Sequence, residues 1–118
     1  MINLGNGKFE LKKLPEQAQL FPIFSAENFD YNGDGYKDLI LTGNIYNTEV
    51  ETPRLDAGSG LILLSNHKDA YTSLPATTTG LHLEGNSKDL IHVQRADQTS
   101  LFLISRNDEA LLGFSFQK

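Results

Sequence analysis

The chain has 118 residues, of which 39% are hydrophobic and 21% charged, with a net charge of −5 and no cysteine. The acidic balance argues against a nucleic-acid partner, which requires a basic face, and the lack of cysteine excludes disulfides and thiol catalysis. No hydrophobic run is long enough to span a bilayer, and residues 1–4 lack the features of a signal peptide, so a signal for secretion would lie outside this chain.

Residues 1–15 form the first predicted element, and they match a later part of the chain. Because the match is to the end of a later unit, residues 1–15 are predicted to be the last strand of a preceding unit. The matching residues all lie 60 positions apart: Leu4, Asn6, Lys8, Leu14 and Pro15 recur as Leu64, Asn66, Lys68, Leu74 and Pro75.

Residues 16–75 are predicted to form one unit of four strands, at about 20–28, 36–43, 60–66 and 70–74. Short apolar runs bounded by glycine, proline and polar residues indicate these strands, and no segment has a convincing helical period. A polar loop, residues 30–38, connects the first two strands.

This loop has the spacing of a calcium site. Side-chain oxygens fall at loop positions 1, 3, 5 and 9, position 7 offers a backbone carbonyl, and a glycine at position 6 permits the sharp turn. A hard cation requires six to eight oxygens, most of which this spacing supplies. The alternative is a polar hairpin without a metal. The predicted ligands are Asp30, Asn32, Asp34, the Tyr36 carbonyl and Asp38.

An EF-hand fits this loop badly. An EF-hand requires a bidentate glutamate at position 12, where this chain has Leu41, and a helix on either side of the loop. Here the flanks are predicted strands, and Asp38 is predicted to be the last ligand in place of the missing glutamate.

The connection at residues 44–59 is long and polar, and long loops in compact domains are often functional. It is predicted to lie at the end of the sheet opposite the calcium loop, where it forms either a ligand-binding surface or a structural plug. The candidate ligand-binding residues are Tyr46, Glu51, Arg54 and Asp56. A metal pair of His82 and His92 across adjacent strands is a further hypothesis.

Residues 76–118 are predicted to form a second unit, with strands at about 80–84, 88–95, 100–105 and 109–117. Residues 37–40 match residues 88–91 at an offset of 51, and residues 60–65 match residues 100–105 at an offset of 40. This unit lacks the calcium loop and most of the long connection, and both losses fall between strands, where deletions are tolerated.

Asp30-x-Asn32-x-Asp34-Gly35-x-x-Asp38 between two strands resembles the loops of FG-GAP/VCBS repeats and is similar to the cation loops of integrin α-subunit propellers. The resemblance extends to Leu14–Gln19, Gly43–Tyr46, Glu51, Arg54, Asp56–Ala57, Gly60–Leu61 and Leu103–Asn107, which look like the closing blades of such proteins. It implies an all-β fold of antiparallel four-stranded blades, here a partial β-propeller of about two blades plus one strand.

The resemblance also implies a calcium-stabilised, non-enzymatic scaffold for recognition or adhesion, extracellular or at a cell surface, with a protein or glycan ligand. The alternative is a polysaccharide-active enzyme, or part of one, that uses the loop at 44–59. Two blades cannot close a ring, so apolar strands such as Leu61–Leu64 and Leu101–Ile104 are expected not to be covered on both faces within one chain. A homo-oligomer or a longer propeller is therefore expected, with residues 8–14 the segment expected to pair with a partner.

Overall fold

The computed structural model describes residues 1–46, 58–68 and 70–116. None of the described helices is long and apolar enough to cross a membrane. The strands are β1 (Ile2–Gly5), β2 (Lys8–Glu10), β3 (Ile23–Phe29), β4 (Asp38–Gly43), β5 (Leu61–Ser65), β6 (Tyr71–Leu74), β7 (Ser87–Gln94), β8 (Ser100–Arg106) and β9 (Leu112–Phe114), with one short helix, α1 (Ala76–Thr79).

The fold is all-β, as predicted, and its sheets are antiparallel. Besides the two-stranded β1-β2 pair, the described residues form two larger sheets, named the first and the second sheet in chain order. The first sheet is a four-stranded meander in the order β3-β4-β5-β6, which places the loop at 30–38 and the connection after β4 at opposite ends of the sheet. The prediction of four strands in residues 76–118 is wrong. Residues 80–84 form no strand, and the second sheet of the described residues has three strands, in the order β7-β8-β9.

Residues 80–84 were expected to be a strand because their apolar side chains alternate. Leu81 and Leu83 are indeed buried, while His82 and Glu84 are exposed. However, the backbone of this segment does not pair with a strand of the second sheet. Its Leu83 N–H donates instead to the carbonyl of Ser59, just before β5, at 2.8 Å. The alternation of apolar and polar side chains therefore arises because one side of an extended segment is buried, and not because the segment pairs in a sheet.

The N-terminal residues form a hairpin of β1 and β2 instead of a single strand, which corrects the sequence prediction. The connecting residues Asn6 and Gly7 have φ angles of 50° and 73°. Positive φ at both central positions is the requirement of the tight hairpin turns for which Asn-Gly is the strongest sequence signal. The 60-residue match favoured a single strand, although Asn6-Gly7 by itself indicates a hairpin turn.

The 60-residue offset nevertheless reappears in the structure. A short 3₁₀ turn spans Glu16–Gln19, and α1 lies 60 positions later at Ala76–Thr79. Each begins after a proline in an extended conformation, with ψ of 151° at Pro15 and 144° at Pro75. The two connections leading into the two sheets therefore begin in the same way, although the first is a 3₁₀ turn and the second an α-helix whose C-cap is Gly80.

The main core lies between the two sheets. Side chains from β3, β4 and β5 contact side chains from β7 and β8, and the segment after α1 fills the space between them. Fully burying each of the large members contributes about 1.5–3 kcal/mol. The buried members are Phe29, Ile40, Ile62, Leu81, Leu83, Leu90, Phe102 and Ile104.

A second core covers the opposite face of the first sheet. Leu41, Leu61 and Leu63 pack there against Ala18 of the 3₁₀ turn, with Phe21 at the margin. The expectation that the Leu61–Leu64 strand could not be covered on both faces is therefore wrong, because the chain's own residues 14–21 supply the second layer. The second sheet differs: Ile91 and Val93 on its outer face are 46% and 38% exposed.

The registers of the two sheets correct one repeat offset. In the first sheet Leu39 pairs with Leu63, and in the second Leu90 pairs with Ile104. If Leu39 corresponds to Leu90, at an offset of 51, Leu63 corresponds to Ile104 at an offset of 41. The sequence match at an offset of 40 is therefore one residue out of register, and such a slip places side chains on the wrong face. The described sheets do not close into a ring.

Candidate functional site

The loop at residues 30–38 is wrapped around the carboxylate of Asp30. Asp30 Oδ1 accepts hydrogen bonds from the N–H groups of Gly33 (2.7 Å) and Asp34 (3.1 Å), and Oδ2 accepts one from Gly35 (2.8 Å). Gly33 and Gly35 have φ angles of 79° and 86°, which glycine adopts without a steric penalty. The glycines thus let consecutive amides turn towards a single carboxylate.

Asn32 and Asp34 lie at the same exposed tip as Asp30. Asn32 Oδ1 accepts the Asp34 N–H at 3.2 Å, so it converges with Asp30 Oδ1 on a single donor. Asn32 Nδ2 in turn donates to Asp34 Oδ2 at 2.9 Å. The side chains at loop positions 1, 3 and 5 are therefore brought together, as the spacing predicted.

The carboxylate of Asp34 is held in its charged form. The backbone N–H of Tyr36 donates to Oδ1 at 2.8 Å and is the largest cause that lowers the Asp34 pKa from its ordinary value of 3.8, followed by the hydrogen bonds from His67 and Asn32. An ionised carboxylate at an exposed loop tip is a suitable ligand for a hard cation.

His67 belongs to this site and was not identified from the sequence. Its Nε2 lies 2.9 Å from Asp34 Oδ2, and its ring stacks on Tyr36 with centroids 3.7 Å apart and planes 10° apart. No local pattern links positions 34 and 67. The contact exists because β5, which ends at Ser65, delivers the following turn to the end of the sheet where the loop lies.

Asp38 differs from the other acidic residues of the loop because it is completely buried. Its Oδ2 accepts the Tyr31 N–H at 2.9 Å, and its Oδ1 accepts the Ser65 N–H at 2.8 Å. One carboxylate therefore joins the start of the loop, the first residue of β4 and the last residue of β5. Asp38 has a structural role here whether or not a cation binds.

The predicted donor set fits a cation in part. Asp30, Asn32 and Asp34 present oxygens at the tip, and a carboxylate oxygen that accepts one N–H retains capacity for a second partner. The described residues contain no group of three or more His, Cys, Asp or Glu side chains arranged to hold a metal ion. A cation that binds Asp34 Oδ2 would displace Asn32 Nδ2 and His67. Asp34 Oδ1, by contrast, accepts only the Tyr36 N–H among the described residues.

The second predicted site, the connection at 44–59, is described only at its ends. Its residues Glu51, Arg54 and Asp56 lie outside the described part of the chain, so their predicted role in ligand binding stays a prediction. The Tyr46 hydroxyl accepts the Gly85 N–H at 3.2 Å, which favours a structural contribution from this residue.

Asn44 fixes both ends of this connection, and the sequence did not single it out. Its Nδ2 donates to the carbonyls of Gly58 (2.6 Å) and Gly85 (3.2 Å), and its Oδ1 accepts the Gly58 N–H at 3.1 Å. Asn44 is buried and its φ is 142°, so a residue that tolerates unusual backbone angles and carries both a donor and an acceptor is required.

The two histidines of the proposed metal pair have separate environments. His82 is exposed, and its Nε2 lies 2.8 Å from Glu84 Oε1. His92 is half-buried and stacks on Phe102 with centroids 4.8 Å apart. In the described structure the two histidines do not contact each other, so nothing there favours a metal pair.

Searches of protein-family models, of curated proteins and of solved structures each found no match to this chain.

Proposed function

We propose that this chain is a calcium-binding, non-enzymatic β scaffold of the FG-GAP/VCBS type that serves recognition or adhesion. The observation that carries the calcium assignment is the convergence of Asp30 Oδ1 and Asn32 Oδ1 on the Asp34 N–H, beside the ionised Asp34 carboxylate. Three oxygen-bearing side chains at one exposed tip are the beginning of a hard-cation site.

Two further features support a structural use of calcium. The loop follows β3 and leads directly into β4, whose side chains enter both cores, so an ordered loop fixes the register of the first sheet. His67 connects the loop to the end of β5. A cation at the tip would relieve the repulsion between Asp30 and Asp34 that otherwise opposes this arrangement.

The proposed location is extracellular or at a cell surface. A solvent-exposed loop with only a few carboxylates is expected to bind calcium with a Kd of about 10⁻⁴–10⁻³ M, the range of extracellular modules. Calcium at millimolar concentration would load such a site, whereas the concentrations that intracellular sensors detect would leave it largely empty.

Thermal unfolding with calcium and with chelator tests the assignment. At about ten times the Kd, binding to the folded state alone adds about 1.4 kcal/mol, which corresponds to a rise in Tm of about 4–8 °C for a domain of this size. Asp34→Ala is expected to abolish this rise. Asp97→Ala is the matched control, because Asp97 is also an exposed turn carboxylate that accepts backbone and hydroxyl hydrogen bonds, both from Thr99.

The control must keep the full calcium-dependent rise. Equal rises in wild type and Asp34→Ala, or no rise in the wild type at about 10 mM calcium, would refute the site. Replacing calcium by the same concentration of magnesium should give a much smaller rise, because magnesium requires a near-ideal octahedral site and retains its water.

A further inference from the structure

A second candidate site lies away from the long connection. An open cleft of about 1260 Å³ extends from the end of β3 across the segment after α1 to the turn between β7 and β8 and to β9. This volume exceeds that of a typical pocket for a single small molecule, so the cleft has room for a chain of several rings.

The inner wall of the cleft is aromatic. Tyr31, Phe114 and Phe116 line it and are half-buried, and they belong to a continuous set of ring contacts that includes Phe29. Tyr31 and Phe116 meet edge to face with centroids 5.2 Å apart. Rings held in this way offer flat apolar faces with little conformational freedom to lose on binding.

The rim is polar and carries positive charge. Thr78, Gln98 and Ser100 supply hydroxyl and amide groups, and the charged side chains on the lining are Lys37, Arg95 and Asp30. The cleft lining has two basic side chains and one acidic side chain, whereas the whole chain has 10 basic and 15 acidic residues. The cleft is therefore richer in basic side chains than the chain as a whole.

The two basic side chains of the lining are only weakly engaged: Arg95 Nη1 donates a hydrogen bond of 3.5 Å to the Thr99 hydroxyl. None of the ion pairs in the described structure involves Lys37 or Arg95. The neighbouring Asp97 carboxylate accepts the Thr99 N–H and O–H, which are the main causes of its lowered pKa, and the charge of Arg95 makes a smaller contribution without an ion pair. Asp30 is held by three backbone N–H groups of its own loop.

We propose that this cleft binds an acidic oligosaccharide, a chain of pyranose rings that carry carboxylates. The apolar faces of the sugar rings would pack on the aromatic wall, the rim hydroxyl and amide groups would bind the sugar hydroxyls, and Lys37 and Arg95 would bind the carboxylates. The inference deepens the proposed recognition role and rests on it, but it does not depend on calcium.

Three probes separate the contributions of ring and charge in a calcium-free calorimetric titration. They are tetragalacturonate, its fully methyl-esterified form, which has the same rings without charge, and tetraglutamate, which has the same charge without rings. Tetragalacturonate is expected to bind at least about tenfold more tightly than either of the others. Equal affinity of all three probes, or no saturable binding of tetragalacturonate up to about 10 mM, overturns the proposal.

A matched pair of double variants tests the location. Lys37→Gln with Arg95→Gln removes two exposed charges from the cleft, and Lys13→Gln with Lys68→Gln removes two exposed charges elsewhere. The first is expected to weaken tetragalacturonate about tenfold, and the second to leave its affinity within about twofold. Equal losses in both would show attraction by net charge alone and overturn the site.

NMR gives an independent readout in the wild-type protein. Tetragalacturonate should shift the amide signals of Gly80, which follows α1, and Ser115, which follows β9, because both residues line the cleft, and leave the Asn6 amide of the N-terminal turn unchanged. Shifts confined to residues outside the cleft overturn the proposal. Because no calcium is present, a failure here is independent of a failure of the calcium site.

Discussion

The buried Asp38 carboxylate permits the sharpest test of how this sheet is held together. It is 0% exposed and accepts two backbone N–H groups, from Tyr31 at 2.9 Å and Ser65 at 2.8 Å. Asp38→Asn preserves the shape of the side chain but replaces one acceptor oxygen with an NH₂ group. The N–H group of either Tyr31 or Ser65 then faces this NH₂ group and has no buried acceptor.

The expected loss follows from the cost of a buried, unsatisfied donor, which is about 1–3 kcal/mol. At about 2.1 cal/mol/K of unfolding entropy per residue, this loss corresponds to a fall in Tm of about 4–12 °C. The measurement is thermal unfolding followed by circular dichroism in a calcium-free buffer with chelator, so that loss of a bound cation cannot contribute.

Asp97→Asn is the control, because its carboxylate also accepts two hydrogen bonds but is exposed in a turn. Its Tm should change by no more than about 2 °C. If Asp38→Asn unfolds within about 2 °C of the wild type, the carboxylate does not join the loop to β5, and its role would have to be sought in the cation site alone.

Two further predictions concern the loop and the outer sheet face. The pKa of Asp34 is lowered in the folded state, so the ionised Asp34 stabilises the fold above pH 3.8, and this stabilisation is lost as the pH falls through the lowered pKa. The Tm difference between wild type and Asp34→Asn should therefore shrink between about pH 5 and about pH 2.5. A Tm difference that stays constant over this range would contradict this reasoning. Ile91→Lys should reduce self-association, because Ile91 and Val93 leave an apolar sheet face exposed; light scattering that shows a wild-type mass of 13.1 kDa at about 1 mM would argue against an oligomer.

The sequence predicted the strands that carry a strong local pattern. β4, β6 and β8 lie within one or two residues of their expected positions, because short apolar runs bounded by polar residues and glycine mark them clearly. The convergence of Asp30, Asn32 and Asp34 was predictable for the same reason, since it depends on spacing within five residues and on glycines that permit the turn.

Features that depend on contacts distant in the sequence were not predictable from local pattern. The approach of His67 to Asp34 spans 33 positions, and the Asn44 amide reaches Gly85 across 41 positions. The failed strand at 80–84 belongs to the same class. Alternating burial is common to a paired strand and to an extended segment packed between two sheets, so hydrophobicity alone cannot distinguish them.

The different environments of the loop carboxylates suggest how calcium would act on this fold. Both oxygens of Asp38 accept backbone donors, and through Ser65 the carboxylate joins β4 to β5. Asp34 is exposed, and its partners Asn32 and His67 are side chains that can move away without breaking the sheet. Calcium that binds Asp34 Oδ2 would therefore displace Asn32 and His67 and leave the strand pairing in place. For such a cation, held by a few side chains of an exposed loop, we expect weak, reversible binding and a stabilisation of only a few degrees.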